Sequence, residues 1–329
     1  MTIKTSSLKQ FQKLAGNIKD KSILSVCDYL KFEPGKITKT VLTSFVQFEC
    51  EGITESFLVD EKELFGILGI TVSEFITITK KGNKVTVTDS RDKTTFQVPP
   101  IGEFPVIPEP SGDHICLSAE FIETLNMASA FSLAPQLIPT VKSFVMIGKK
   151  HIAASDGQIA FIKPIEEDFT MVLGKNIVAG VSKLPITECA SANNYNFFFA
   201  KGITLGFSTQ EIGFFDMIPF ITMNGQKPVF TATSSDLQSF NAWALQSIEL
   251  PFVTIKKGEM VMSDANRDIT HIRPMEELTV EEDFTYNPAY MNRLLSAIAC
   301  SEVDFYKGDR MYYIKSQDHN FTTLIMKLS

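Results

Sequence analysis

A chain of 329 residues, 44% hydrophobic and 21% charged, is long for one core and suits two or three domains of an ordinary globular protein. Its net charge of −7 argues against a surface coated in nucleic acid, while leaving room for a local basic face. The apolar runs are strand-sized and MTIKTSSLKQ lacks the apolar core of a secretory signal. Five scattered cysteines (Cys27, Cys50, Cys116, Cys189, Cys300) form no close pair, so reduced thiols, a cytoplasmic location and no membrane partner are expected.

Taken in chain order, Ser7-Leu8-Lys9-Gln10 has the capping-box form, and Leu8, Phe11, Leu14, Ala15 and Ile18 follow as one helical stripe. "VLTSFVQFE" reads as a strand, Asp60 with Glu63 caps a helix over "EKELFGILGI", and "FITITKKGNKVTVTDS" reads as a hairpin about a glycine turn. The Pro- and Gly-rich stretch 99–113 is a linker. Ser118 then opens a helix with Phe121, Ile122, Leu125 and Ala128 on one face. "HIAASDGQIAFIKP" follows as two strands about Ser155-Asp156-Gly157. Gly174 precedes the helix "KNIVAGVSKL", and "YNFFFAKGITLGFS" is a second hairpin. A second linker lies at 222–229. Ser235 opens a third amphipathic helix, with Gln238 at its third position. "MVMSDANRDITHIRP" echoes the Ser-Asp turn, Asn287-Pro288 starts a last helix, and "EVDFYKGDRMYYIKS" is a third hairpin.

This is a threefold repeat. The helix starts Ser7, Ser118 and Ser235 lie 111 and 117 residues apart. Ser7 to Asp60, Ser118 to Gly174 and Ser235 to Asn287 are 53, 56 and 52 residues. The expected fold class is α+β, in three tandem units of two helices plus antiparallel strands. Their expected bounds are 1–105, 112–222 and 228–329.

The search for chemistry finds no catalytic constellation. Neither a phosphate-binding glycine loop nor a zinc helix occurs, and His114, His151, His271 and His319 stand far apart. Ser155 beside Asp156 has no base in reach, because His151 shares its strand face but lies roughly 13 Å away. A non-catalytic protein without metal or cofactor is expected. The acidic runs Glu166-Glu167-Asp168 and Glu281-Glu282-Asp283 read as solvated loops.

Charge distribution says more. Residues 4–21 hold Lys4, Lys9, Lys13, Lys19 and Lys21 against Asp20 alone. Lys9 and Lys13 share a helix face turned from the Leu8/Phe11 stripe, either a solvated face or a contact for phosphates. Lys175, Lys183 and Arg293 are smaller signals of the same kind, whereas Glu120 and Glu123 make the third helix acidic.

Three passages resemble one known family. "AASDGQIAF" is similar to the A-T-D-G-H-R-L-A signature of the bacterial DNA polymerase III β subunits, the sliding clamps. "EFP" at 103–105 resembles that family's D-F-P, and the terminal "TTLIMKLS" its V-V-M-P-M-R-L. Gln158-Ile159-Ala160 replaces the family's His-Arg-Leu, and Lys327 stands for its terminal Arg, with Ser329 added. Both departures fall where that family binds its partners.

The resemblance implies three clamp repeats per chain and a homodimeric ring of six units, with helices lining a hole around duplex DNA. It implies sequence-independent DNA binding, and capture of a DNA polymerase and a clamp loader through short peptides. By position it assigns DNA contacts to Lys19, Lys21 and Gln136, beside Lys9, Lys13, Lys175, Lys183 and Arg293. It builds a partner-peptide pocket from Val141, Ser155, Gly157, Gln158, Ile159, Ala160, Pro219, Leu324, Met326, Lys327 and Leu328. At the dimer joint it sets Phe104 against Trp243, Ala244 or Leu245, unless Phe104 folds back on its own unit. The competing expectation is a structural or assembly protein of tandem modules without DNA.

Overall fold

The computed structural model describes every residue except 17, 19–23, 135–139, 221–226, 265–269, 276–279, 281, 309, 317–319 and 328–329, and the side chain of Phe220. The described α-helices are α1 (Thr5–Ala15), α2 (Glu61–Ile70), α3 (Ala119–Ser129), α4 (Lys175–Val181), α5 (Ser234–Ser247) and α6 (Pro288–Ile298). By internal contacts the chain divides into two units. One holds Met1–Ser118 with Gly180–Thr209, the other Ala119–Ala179 with Gln210–Ser329.

In the first unit α1 buries Thr5, Leu8, Phe11, Leu14 and Ala15, the last four from the stripe read in the sequence; Ile18, its fifth member, is buried beyond the helix end. The N-cap position of α1 is Lys4, three residues before the expected cap Ser7, and has no side-chain cap. The sheet sets this start: Thr2–Lys4 pairs with Thr77 to Phe75, and the Thr5 N–H donates to the Glu74 carbonyl at 2.9 Å. α2 starts as expected, the Glu63 N–H donating to Asp60 Oδ1 at 2.9 Å. A four-stranded sheet runs Thr2–Lys4, Phe75–Lys81, Lys84–Thr88, Lys93–Gln97. An eight-stranded sheet runs Phe57–Asp60, Tyr29–Glu33, Lys36–Thr40, Ser44–Glu49, Ile203–Ser208, Tyr195–Ala200, Glu188–Ala192, Ile115–Cys116. At its centre Gly206 stands opposite Phe45, whose ring occupies the space a side chain at 206 would need.

In the second unit an eight-stranded sheet runs Met171–Gly174, Phe144–Gly148, His151–Ser155, Ile159–Pro164, Thr322–Met326, Met311–Ser316, Glu302–Lys307, Phe230–Thr233. A four-stranded sheet runs Thr270–Pro274, Glu259–Ser263, Phe252–Lys256, Phe284–Tyr286. α5 begins at Ser234, two residues early, because Thr233 rather than Ser235 serves as its N-cap. α6 begins at Pro288 as expected, with the Ala289 N–H donating to Asn287 Oδ1 at 2.9 Å. α3 packs against α6, and α5 lies beside α6. Between them the buried Tyr286 hydroxyl donates to Asn241 Oδ1 at 2.9 Å.

The strands repeat as the helices do, and this sheet pairing was not read from the sequence. Ser44–Glu49 of the first repeat pairs antiparallel with Ile203–Ser208 of the second. Ile159–Pro164 of the second pairs in the same way with Thr322–Met326 of the third. By strand order, Thr270–Pro274 holds in the third repeat the place of Ser44–Glu49 and Ile159–Pro164 in theirs. Lys93–Gln97 likewise matches Ile203–Ser208 and Thr322–Met326. These last two equivalents are sheet edges, with no strand laid against them among the described residues.

All five cysteines are free thiols, and only Cys116 is exposed. Burial, with the Glu51 charge second, pushes the Cys50 thiol up to about 11. A thiol titration of the native protein at pH 8 is therefore expected to label Cys116 fast and the other four only on unfolding. Fast labelling of a second site, mapped by peptide mass, would contradict this burial pattern.

Candidate partner groove and basic helix faces

The turn between His151–Ser155 and Ile159–Pro164 is held by its own side chains. The Ser155 hydroxyl donates to the Ile159 carbonyl at 2.9 Å and accepts the Gly157 N–H at 3.0 Å. Asp156 Oδ1 accepts the N–H groups of Gln158 and Ile159 at 2.8 and 2.9 Å. Ser155 is thus committed to the turn and offers no free nucleophile. Gly157 has φ +91°, which L side chains rarely adopt, and the Lys142 side chain covers it. Gly157→Ala is expected to cost about 1–3 kcal/mol of stability, mostly backbone strain because the lysine end can move aside. A change under about 0.5 kcal/mol in urea unfolding would mean that the turn relaxes freely.

Beside this turn the expected pocket residues come together across two strands. Ala160 is opposite Leu324, and the Met326 N–H donates to the Gln158 carbonyl at 2.9 Å. Ser155 is opposite Ala160 on the other side. Directly opposed residues share a sheet face, so Ser155, Ala160 and Leu324 lie on one face, with Tyr313 next in register. Ala160, Tyr313 and Leu324 form an apolar floor against which Met217, Tyr306 and Met311 pack. Tyr306, Tyr313, Met311 and Met217 were not read from the sequence. The alternation in "DRMYYIKS", which puts Met311 and Tyr313 on one face, carried the signal for two of them.

Ile159 is a correction. It is opposite Ile325, both almost wholly buried, so the period of two turns its side chain to the face away from Ala160. Val141, Gln158 and Pro219 are exposed, and Met326 is half-buried. Lys327 lies with its ammonium 4.6 Å from the Tyr312 ring centre. Leu328 lies outside the described residues. A pocket of about 140 Å³ lined by His151, Ile162, Pro164, Ile218, Asn320, Phe321 and Thr322 continues the same sheet face.

Of the residues expected at DNA, Lys19, Lys21 and Gln136 lie outside the described residues. Lys9 and Lys13 are exposed on α1, away from its buried stripe; Lys9 Nζ donates to the Thr71 carbonyl at 3.3 Å. Lys183 is exposed, and Lys175 Nζ donates to the Ser132 carbonyl at 3.2 Å. The acidity of α3 is partly neutralised: Lys163 pairs with Glu120 at 2.8 Å, and its hydrogen bond and charge hold that carboxyl below its usual range. Arg293 has its guanidinium bound to the carboxylate of Asp156 and its side chain 37% exposed, so its charge is shared with the turn.

The residues expected at a dimer joint divide. Trp243 and Leu245 are 39% and 41% exposed on α5, whereas Ala244 is fully buried on its core side. Phe104 is only 6% exposed, under the Lys31 ammonium at 5.9 Å, so it folds back on its own unit. The edge strands and the end of α2 carry exposed or half-exposed apolar side chains not read from the sequence. Phe96 is half-buried on Lys93–Gln97, and Ile272 is 55% exposed on Thr270–Pro274. Ile70 projects from the end of α2, 77% exposed.

No protein-family model matches the sequence, and no curated protein sequence matches it. Solved structures do. The Pseudomonas aeruginosa DNA polymerase III β subunit, a sliding clamp bound to griselimycin, superposes with a TM-score of 0.84 at 16% identity, over 100% of this chain and 99% of that one. This is the sliding-clamp fold. The β sliding clamp of C. crescentus superposes with a TM-score of 0.85 at 12% identity, covering 100% of this chain and 98% of its own. It carries polyethylene glycol at a region assigned to β-motif tethering. The β chain of Streptococcus pneumoniae DNA polymerase III gives 0.84 at 16% identity, over 100% and 99%. The likeness spans all three repeats of the clamp fold, so the repeat read from helix spacing is the repeat of the fold. No described helix is long and apolar enough to cross a membrane.

Proposed function

We propose that this chain is a DNA sliding clamp, a non-catalytic processivity factor that closes as a homodimer around duplex DNA and tethers a polymerase and its loader through short peptides. The observation that carries this reading is the unmatched pair of sheet edges. Two inter-repeat joints are made inside the chain, and the equivalents of a third, Thr270–Pro274 and Lys93–Gln97, are left open. Pairing the first edge with the second edge of another copy repeats a joint the fold already uses twice, and closure removes both exposed edges. The packing of α3 on α6 beside the second joint has its counterpart in α5 of one chain against α2 of the next, where Trp243, Leu245 and Ile70 are the exposed apolar side chains. The three-module division 1–105, 112–222 and 228–329 belongs to this reading.

A ring holds DNA by topology, so weak sequence-blind attraction from lysines on helix faces suffices. That makes a net charge of −7 compatible with the function. The test is retention on nicked circular DNA that is lost on linearisation, with a native mass twice 36.7 kDa. A monomer, or retention that survives linearisation, overturns the proposal. Lys9→Glu with Lys13→Glu is expected to reduce loading at least tenfold at low salt, each reversed charge adding a phosphate repulsion. Unchanged loading would remove α1 from the DNA face.

A further inference from the structure

The groove turn is governed from a helix distant in sequence. Asp156 is buried, its side chain 3% exposed, and its two oxygens have separate tasks. Oδ1 takes the N–H groups of Gln158 and Ile159, and Oδ2 takes the Arg293 guanidinium from α6. The Gln158 carbonyl in turn receives the Met326 N–H. One chain of hydrogen bonds thus runs from α6 through the turn to the strand that edges the groove.

Nothing about α6 as a helix requires an arginine there. The helix buries Met291, Leu294, Leu295 and Ile298, and Arg293 flanks that stripe. Its guanidinium gives up part of its water for this place: the side chain stays 37% exposed, but Nε is buried without a hydrogen-bond partner among the described residues, and burial lowers its pKa. The Tyr290 ring lies 5.7 Å from its carbon. A buried carboxylate with no counter-charge would be driven to neutralise or to turn towards water, and the two turn N–H groups would lose a charged acceptor.

We propose that Arg293 is a positioning residue for partner capture: through Asp156 it holds the 155–159 turn in the shape that presents Gln158 and the Ala160/Leu324 floor to a peptide. This rests on the groove being the partner site, and the experiment separates the two claims. A random decapeptide library displayed on phage is selected on the full-length protein, with a chain lacking Met326 to Ser329 as counter-selection. The enriched decapeptide, fluorescein-labelled, is the probe. Its affinity and the amide hydrogen exchange of Gln158 and Ile159 are measured for the wild type, Arg293→Gln, Arg293→Lys, Asp156→Asn and the double variant Asp156→Asn/Arg293→Gln.

The expected result is a loss of tenfold or more in affinity for Arg293→Gln, with exchange at those two amides at least tenfold faster while other amides of the sheet keep their protection. Arg293→Lys recovers part of both. The double variant is no weaker than Asp156→Asn, since both changes break one path. Affinity and exchange within twofold of wild type in Arg293→Gln, even with a lowered melting temperature, overturn the proposal and leave Arg293 a stabilising residue only. Should no decapeptide distinguish the full chain from the truncated one, the groove reading fails, and with it the role in capture. The exchange data then still decide whether Arg293 holds the turn.

Discussion

Ile272→Asp is expected to convert the proposed dimer into monomers. Ile272 sits on the open edge Thr270–Pro274 and is more than half exposed, so its side chain is available to a strand laid against that edge. Behind it the surface is already built: His271 lies 4.8 Å from the Trp243 ring, and Arg273 lies over Phe240 while its Nη1 donates to Ser239 Oγ at 2.8 Å. An aspartate there stays hydrated in the free chain but is stripped of water and unpaired in the joint, at a cost of about 3–5 kcal/mol. A closed dimer holds two such joints, so at about 1.4 kcal/mol per tenfold the dissociation constant rises about 10⁴-fold or more. Because the side chain is exposed in the single chain, unfolding in urea should move by no more than about 0.5 kcal/mol. Sedimentation equilibrium at micromolar concentration reads the outcome. A variant that stays dimeric would mean that the chain associates through another surface.

Removing Met326 to Ser329 should abolish stimulation of the cognate polymerase while leaving dimer and DNA loading intact. Met326 faces Met311 across the strands, and its N–H holds the Gln158 carbonyl, so the cut opens the groove on the side of the expected pocket. The loss to folding is limited to two backbone hydrogen bonds, Met326 to Gln158 and Lys327 to Arg310, and two half-buried side chains, roughly 3–4 kcal/mol. The loss to binding is an edge of the site. Because the open edges 93–97 and 270–274 are untouched, the mass on native analysis stays that of the dimer. Stimulation that survives the cut places the partner site elsewhere.

What could be read from the residues alone was what local chemistry decides. The helix stripes of α1 and α3, the caps at Asp60 and Asn287 and the three hairpins with glycine turns follow from periodicities of 3.6 and 2 and from side-chain donors and acceptors a few residues apart. So did the threefold repeat, since equal units place like signals at equal spacing. Where a neighbour far along the chain competed, the local signal lost: α1 starts at Thr5 because Glu74 accepts its N–H.

The site shows the same division. Ala160 and Leu324 could be named by resemblance, but which face each strand residue takes depends on register, and register excluded Ile159 from the floor. Arg293 read as a phosphate contact because a sequence shows its charge and not the carboxylate of Asp156, 137 residues away, that takes it up. Phe104 and Ala244 were named for a joint, with the fold-back of Phe104 as the alternative, and both are buried in the single chain, since burial is a property of packing and not of residue type.

The sequence by itself determined the repeat, the element types and the absence of a recognisable catalytic pattern, because these depend on interactions within a few turns of chain. Only the tertiary structure decided that neighbouring repeats share sheets, which edges stay open and which charges are spent. Strand pairing and ion pairing between distant segments are long-range, and a linear string holds no distance across the fold.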